Sequence, residues 1–472
     1  MSRKKNQILI GFAKMCIFAA VFVAIILAVI ILSKKMLADA ERRATISTLP
    51  KISISLNDVD LETVKAGTKD IKYPGNEVAL AIGDNETIFS DVELKGRGNS
   101  TWGREKSPFQ LKFKNKVDFM GMGEGKKWIL LANYFDITNL RNAVAFKLEA
   151  LLGQVGALEG RFAELYIDGD YQGVYYVTEK IGVGKDRIDL KNDLGVVAEF
   201  EYLHDEGDEC YRTDSGVCFV LKDSVNEDYE DFAMKDFVST YNELEQAVEE
   251  EDFEKVEALL DLESLAKYYL LSEFTANPDS FLSSWYFYKD GLVDKIHVGP
   301  GWDYDYALSN KLWHFAEIEQ FYSPETEMLQ LRTMGGEVYD DETGETVKIA
   351  GGFEPSKLVY KLLEYPEFEE LVERTYKECL FGKKALVLGS MKIQAGLIRD
   401  AAILDIAKYY EGRNELWEEV GEYSVLKDLN VVYDPDLLFD TEVKYLIDWV
   451  DARFDYLDWK YTSNYDKMVT VI

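Results

Sequence analysis

The chain has 472 residues, 47% of them hydrophobic and 13% aromatic, enough for a real core and too apolar for a disordered chain. At ~100–200 residues per domain, this length allows two to four domains or one large bilobal unit with an appendage. Acidic residues outnumber basic ones 86 to 53, for a net charge of −33, which repels phosphate backbones and argues against a nucleic-acid partner.

In chain order, Arg3, Lys4, Lys5 and Lys14 precede an uncharged run over residues 15–33, closed by Lys34 and Lys35. At ~1.5 Å per residue the run is long enough to cross ~30 Å of hydrocarbon, so it reads as a transmembrane anchor behind a basic tail of residues 1–14. Ala38-Asp39-Ala40 offers a cleavage site, but the apolar stretch exceeds the ~7–15 residues usual in a signal peptide. The expected placement is the cell membrane, single-pass, with most of the chain extracytoplasmic. Residues 34–50 then serve as a juxtamembrane linker.

From Lys51 the pattern becomes that of strands. Lys51-Ile52-Ser53-Ile54-Ser55-Leu56 alternates, as do residues 109–113, and short strands are expected over 78–82, 89–95 and 128–132. Thr138 is placed to cap a helix over residues 139–152 that Gly153 ends. Strands over 163–167 and 173–178 flank the turn Asp168-Gly169-Asp170. Residues 51–200 thus read as a β-rich N-terminal lobe and 201–235 as an acidic insert.

Residues 236–472 read as a helical C-terminal lobe, with apolar residues at helical spacing over 233–249, 253–260, 262–275, 355–381, 386–410 and 440–458. The acids are densest over 243–257, where a solvated face accounts for them. One hairpin interrupts the helices, residues 285–288 and 295–298 around Lys289-Asp290-Gly291.

The four cysteines make no disulfide framework. Cys16 lies in the apolar run and Cys379 in a helix, while Cys210 and Cys218 could bridge in an oxidising compartment. Three histidines, His204, His297 and His314, with no i+4 pair among them, close off a histidine-ligated metal centre.

The hairpin is where chemistry is expected. Asn277-Pro278 breaks the preceding helix and leaves Asp279 in a loop. The hairpin leads through Gly299-Pro300-Gly301 to Trp302-Asp303-Tyr304-Asp305. Helix, loop aspartate, two strands and a second aspartate after glycines is the order in which protein kinases set their base and magnesium ligand. Loop aspartates also serve as caps and turn formers, so topology alone does not decide.

Further words point the same way: Gly96-Arg97-Gly98-Asn99-Ser100-Thr101-Trp102, then Lys106-Ser107-Pro108-Phe109-Gln110-Leu111-Lys112, then Asp136 and Arg141-Asn142. Next come Tyr166-Ile167-Asp168-Gly169-Asp170-Tyr171-Gln172-Gly173-Val174-Tyr175 and Glu179. In this order the set resembles the spore-coat protein H-like (CotH) kinase family over roughly residues 50–460. The resemblance implies an α+β, bilobal atypical protein-kinase-like fold that uses ATP with Mg²⁺ or Mn²⁺ to phosphorylate Ser/Thr hydroxyls of surface or coat proteins. It casts Asp279 as the catalytic aspartate and Asp303 as a metal ligand, with Asp305 as a second ligand or structural partner. It casts Lys112, or else Lys106, as the lysine that reaches the ATP phosphates. Arg97 would contact phosphate or tie its loop to a carboxylate, and Glu179 would pair a lysine or lie at the hinge. Arg141 and Asn142 read as groups that hold the fold.

The chain departs from the pattern where kinases place an asparagine as second metal ligand: here Ser284 stands, a hydroxyl and a weaker ligand, and Pro278 is also unusual. That leaves a catalytically degenerate module for surface or coat assembly or for ligand binding as the alternative. Residues 121–127 fail as a phosphate-binding P-loop, with Met120 and Lys127 where glycine and Ser/Thr are required. A glycan hydrolase fits poorly, because Asp303 and Asp305 share one short segment and cannot flank a bond at ~5–10 Å.

Overall fold

The computed structural model describes residues 49–200, 210–277, 279–281, 283–310, 323–327, 336–340, 345–349, 354–410 and 434–463. The chain divides into two units. The first, Met1–Leu49 with Ile82–Asn85, holds among the described residues only Leu49 and that four-residue turn, where Gly83 takes φ 59°. Everything below concerns the second, Pro50–Ala81 and Glu86–Ile472.

Seven strands close into a barrel: β1 (Lys51–Ser55), β2 (Lys72–Ile82), β3 (Asn85–Gly96), β4 (Phe109–Asp118), β5 (Glu124–Leu131), β7 (Asp170–Glu179) and β6 (Gly160–Ile167), in that spatial order. Closure comes from β6 running parallel to β1, with Ile52 opposite Leu165. Alternation sends Ile52, Ile54, Val78, Leu94, Leu111, Trp128, Leu165 and Val177 inward, where they form one buried core. Helix α1 (Leu61–Ala66) adds Val64 to it.

A second sheet has the order β12 (His297–Gly301), β11 (Trp285–Asp290), β8 (Gly195–Phe200), β10 (Cys218–Ser224), β9 (Tyr211–Arg212). Its central strand β8 is buried along its whole length. Phe219, Trp285 and Phe287 pack on this sheet with Phe237 and Tyr241 of α3 (Glu230–Glu249). Cys210 and Cys218, read as able to bridge, are joined.

The helices are α2 (Arg141–Leu152), α4 (Phe253–Leu259), α5 (Leu262–Thr275), α6 (Glu354–Leu363), α7 (Pro366–Cys379), α8 (Lys384–Tyr410) and α9 (Pro435–Thr462), besides the small sheet β13 (Gly336–Asp340) and β14 (Glu345–Ile349). α2 ends at Gly153 in the left-handed region, as its sequence predicts. The single helix expected over 355–381 is two, because Pro366 starts a new one.

The bilobal kinase-like expectation is overturned. The β-rich segment is a closed barrel, and the second sheet joins β8 with β11 and β12, from either side of the acidic segment, into one layer. Local alternation identifies strands but carries no information on which distant edge closes on which. The membrane expectation is corrected as well. No helix among the described residues is long and apolar enough to cross a membrane, and residues 15–33 lie outside the described residues. The single-pass, cell-membrane placement, with most of the chain extracytoplasmic, therefore has no span among the described residues to rest on and is withdrawn.

Candidate functional site

Two loops meet at the centre of the site. The first leaves α5 at Ala276, which takes φ 45°, and carries Asp279. The second leaves β12 and carries Asp303 and Asp305. The Asn277 carboxamide donates to the Asp303 carbonyl at 3.1 Å, and its own oxygen accepts from the Asp279 amide at 3.2 Å. The Leu308 amide donates to the Thr275 carbonyl at 2.6 Å. Trp285 pairs with Gly301 in the β11–β12 register, and Ser284 stands immediately before that pair and Trp302 immediately after it in the chain.

Backbone strain gathers in these loops. Ala276, Phe281, Ser284, Asp303, Leu308 and Ser309 all have φ between 45° and 65°, a region that side-chain-bearing residues seldom occupy. Such geometry persists only where surrounding contacts impose it, and it concentrates at functional sites.

Helix α2 imposes much of it. Asp136 accepts from the Arg141 amide at 2.8 Å and pairs with the Arg141 guanidinium, while Arg141 Nε donates to the Ala307 carbonyl at 3.0 Å. Asn142 donates to Asp305 Oδ1 and accepts from the Tyr304 amide at 3.0 Å. Asn310 closes the loop on itself, donating to the Asp305 carbonyl at 2.6 Å. Thr138, expected as the cap, instead donates its hydroxyl to Asp136 Oδ1 at 2.6 Å, and Asp136 takes the first helical amide.

The electrostatics are those of crowded carboxylates. Burial lifts Asp305 well above its ordinary range, and the negative charges of Asp303 and Asp136 add to this against Asn142 and Lys106. Asp303 is raised too, first by its enclosure, with Glu199 adding and Arg97 opposing. Asp303 nevertheless keeps exposed surface, so water reaches it. The Tyr306 phenol, hydrogen-bonded to Ser100, is raised by burial and then by the negative charges of Asp305, Asp303 and Asp279.

A family model described as CotH kinase protein matches residues 94–457, well over half of the chain. The chain belongs to the CotH kinase protein family. No curated protein matches it. The matched span takes in every word of the motif set, from the Gly96–Trp102 loop to the aspartate loops, and the family suggests a kinase-like role for the chain.

Within this CotH kinase domain the expected residues fall into two groups. The Asp279 loop and the Asp303–Asp305 loop are joined through Asn277, Arg97 lies over the Trp302 ring with its guanidinium carbon 4.9 Å from the centroid, and Ser284 stands immediately before β11. Gly96 admits the same loop's fold, since a Cβ there would collide with Trp102. Lys106 and Glu179 are committed elsewhere. Lys106 is buried, donates to the Val174 carbonyl at 2.7 Å and pairs with Asp405 of α8. Glu179 ends β7, pairs with Arg187 at 3.2 Å, and is raised to about 7 by burial against that pairing. Lys112 is half-buried on β4, opposite Lys127.

Among the described residues no group of three or more His, Cys, Asp or Glu is arranged to hold a metal by itself. The site also contains residues that the motifs do not reveal. Glu199 of β8 pairs with Lys222 and acts on Asp303. Tyr306 is simply the next residue after the aspartate word, whereas Glu199 and Lys222 carry no local signal because strand pairing alone brings them in.

Proposed function

We propose that the chain is a phosphotransferase that moves the terminal phosphate of ATP, with Mg²⁺ or Mn²⁺, to a Ser or Thr hydroxyl of a protein. The observation that carries this reading is the joining of two separate aspartate loops through Asn277, with Asp279, Asp303 and Asp305 all acting on Tyr306. In it, Asp279 orients the acceptor hydroxyl and takes up its proton as the oxygen attacks the terminal phosphorus, whose bond to the bridging oxygen breaks and releases ADP. Arg97, held over Trp302, faces the phosphates with a fixed positive charge.

The donor set suits a small hard cation. Burial raises both Asp303 and Asp305, and the charge of Asp303 adds to the rise of Asp305; such an ion takes one or two carboxylates and completes its shell with phosphate oxygens and water. Asp303 and Asp305 would hold it, with Ser284 as a further, weaker ligand. When bound, it would neutralise charge on the phosphates. Ser284, in place of an amide ligand, favours a second reading in which nucleotide is bound and not turned over.

Thermal unfolding with and without nucleotide tests the binding step shared by both readings. ATP with Mg²⁺ at 100 times its Kd should stabilise the protein by about 2.7 kcal/mol, and ATP with chelator by much less. Equal melting in all conditions would overturn both.

A further inference from the structure

The barrel's strand register sets three lysines side by side. Lys112 of β4 lies opposite Lys127 of β5. On the other edge of β5, Trp128 pairs with Glu179 of β7, and the next antiparallel step sets Lys127 against Lys180, whose amide donates to the Lys127 carbonyl at 3.2 Å. Leu111 and Trp128 point into the barrel core, so alternation turns the three lysines to its outer wall. At ~4.8 Å between strands the row spans about 10 Å.

This row is costly to keep at Lys127 and Lys180, while Lys112 has Glu93 of β3 opposite it on its other edge. Like charges directly opposite on one sheet face destabilise it. All three side chains are half-buried, and none forms an ion pair among the described residues. Lys180 is pushed down to about 8, first by burial and then by the positive charges of Lys127 and Arg97. Lys180 also feels Lys222, which pairs with Glu199 of β8, and Arg97, which lies over the ring of Trp302, the residue before Asp303.

We propose that Lys112, Lys127 and Lys180 bind the phosphate chain of a nucleoside triphosphate along the barrel wall, with the Lys180 end directed toward Asp303. The row replaces Lys106, whose charge is committed to Asp405. The orientation, though not the binding, rests on the phosphotransfer reading.

The test titrates the full chain, calorimetrically, with inorganic tripolyphosphate, ATP and adenosine. The parent should bind tripolyphosphate in competition with ATP. Lys127→Gln and Lys180→Gln should each weaken both ligands about tenfold, the loss of roughly one charge-assisted contact, and leave adenosine unchanged. Lys180→Arg should recover most of the loss, and the unliganded Gln variants should melt no lower than the parent, since each relieves repulsion. Gln variants that bind tripolyphosphate and ATP as the parent does would overturn the row, as would a parent blind to tripolyphosphate. A parent that binds tripolyphosphate through these lysines yet transfers no phosphate would leave the row standing and remove the phosphotransfer reading. Transfer with unaltered binding in the variants would do the reverse.

Discussion

Asn142 and Asp305 lie 163 residues apart and meet side chain to side chain in the buried floor of the site. The same Asn142 carboxamide also donates to Asn133 at 3.1 Å and accepts from the Tyr304 amide at 3.0 Å, so one side chain fixes both the aspartate and the backbone before it. Asn142→Leu, close in volume, leaves three buried partners without their bonds. At ~1–3 kcal/mol for each orphaned group, the variant should lose at least about 3 kcal/mol in urea unfolding. A midpoint equal to the parent's would mean that these contacts do not hold the loop.

Lys106 and Asp405 form a buried pair linking the segment before β4 to α8. Burial works against the charge on both, holding Lys106 down and lifting Asp405 to about 6 against the pull of Lys106. Lys106→Met should cost about 3–5 kcal/mol by stranding Asp405, and Lys106→Met with Asp405→Leu should recover most of it. Under conditions where the single variant is folded, its ATP affinity should stay within about twofold of the parent's. A selective loss of ATP affinity with normal stability would restore Lys106 as a phosphate ligand.

Glu149 of α2 is fully buried, accepts from the Gly301 amide at 2.6 Å, and is lifted by burial from 4.5 to about 8, with the Gly301 and Leu158 amides opposing. Because the folded value lies above the unfolded one, the unfolded chain ionises first as pH rises. Stability on this account is undiminished below about pH 4.5, falls between there and about pH 8, and levels off above. Glu149→Gln keeps an acceptor for Gly301 and cannot ionise. Its stability relative to the parent should rise by up to about 1.4 kcal/mol per pH unit between those limits, read from urea midpoints. A difference independent of pH would show that Glu149 is charged in the folded protein.

Much of the local structure was legible. The alternation at Lys51–Ser55 is β1, Gly153 ends α2, and the hairpin around Lys289-Asp290-Gly291 is β11 and β12. The order of the aspartate words also survives, because it depends on residues close in the chain. What failed depends on distance. Nothing near Ile52 announces Leu165 as its neighbour, so barrel closure was invisible. Lys106 and Lys112 belong to one motif, in which Lys112 is preferred, and nothing near Lys106 shows that its charge is taken until Asp405, 299 residues beyond it, is brought against it. Lys127 and Lys180 belong to no motif and become neighbours only through β5 and β7.

The most direct measurement of the central claim is transfer of labelled terminal phosphate from ATP to protein by the full chain and by Asp279→Asn and Asp303→Asn, each first shown to be folded by circular dichroism. The parent should label a protein acceptor only when Mg²⁺ or Mn²⁺ is supplied, and each variant should be at least about a hundredfold slower, as expected for groups that act only at the reacting phosphate. Variants as fast as the parent, or a folded parent that binds ATP and labels nothing, would contradict it.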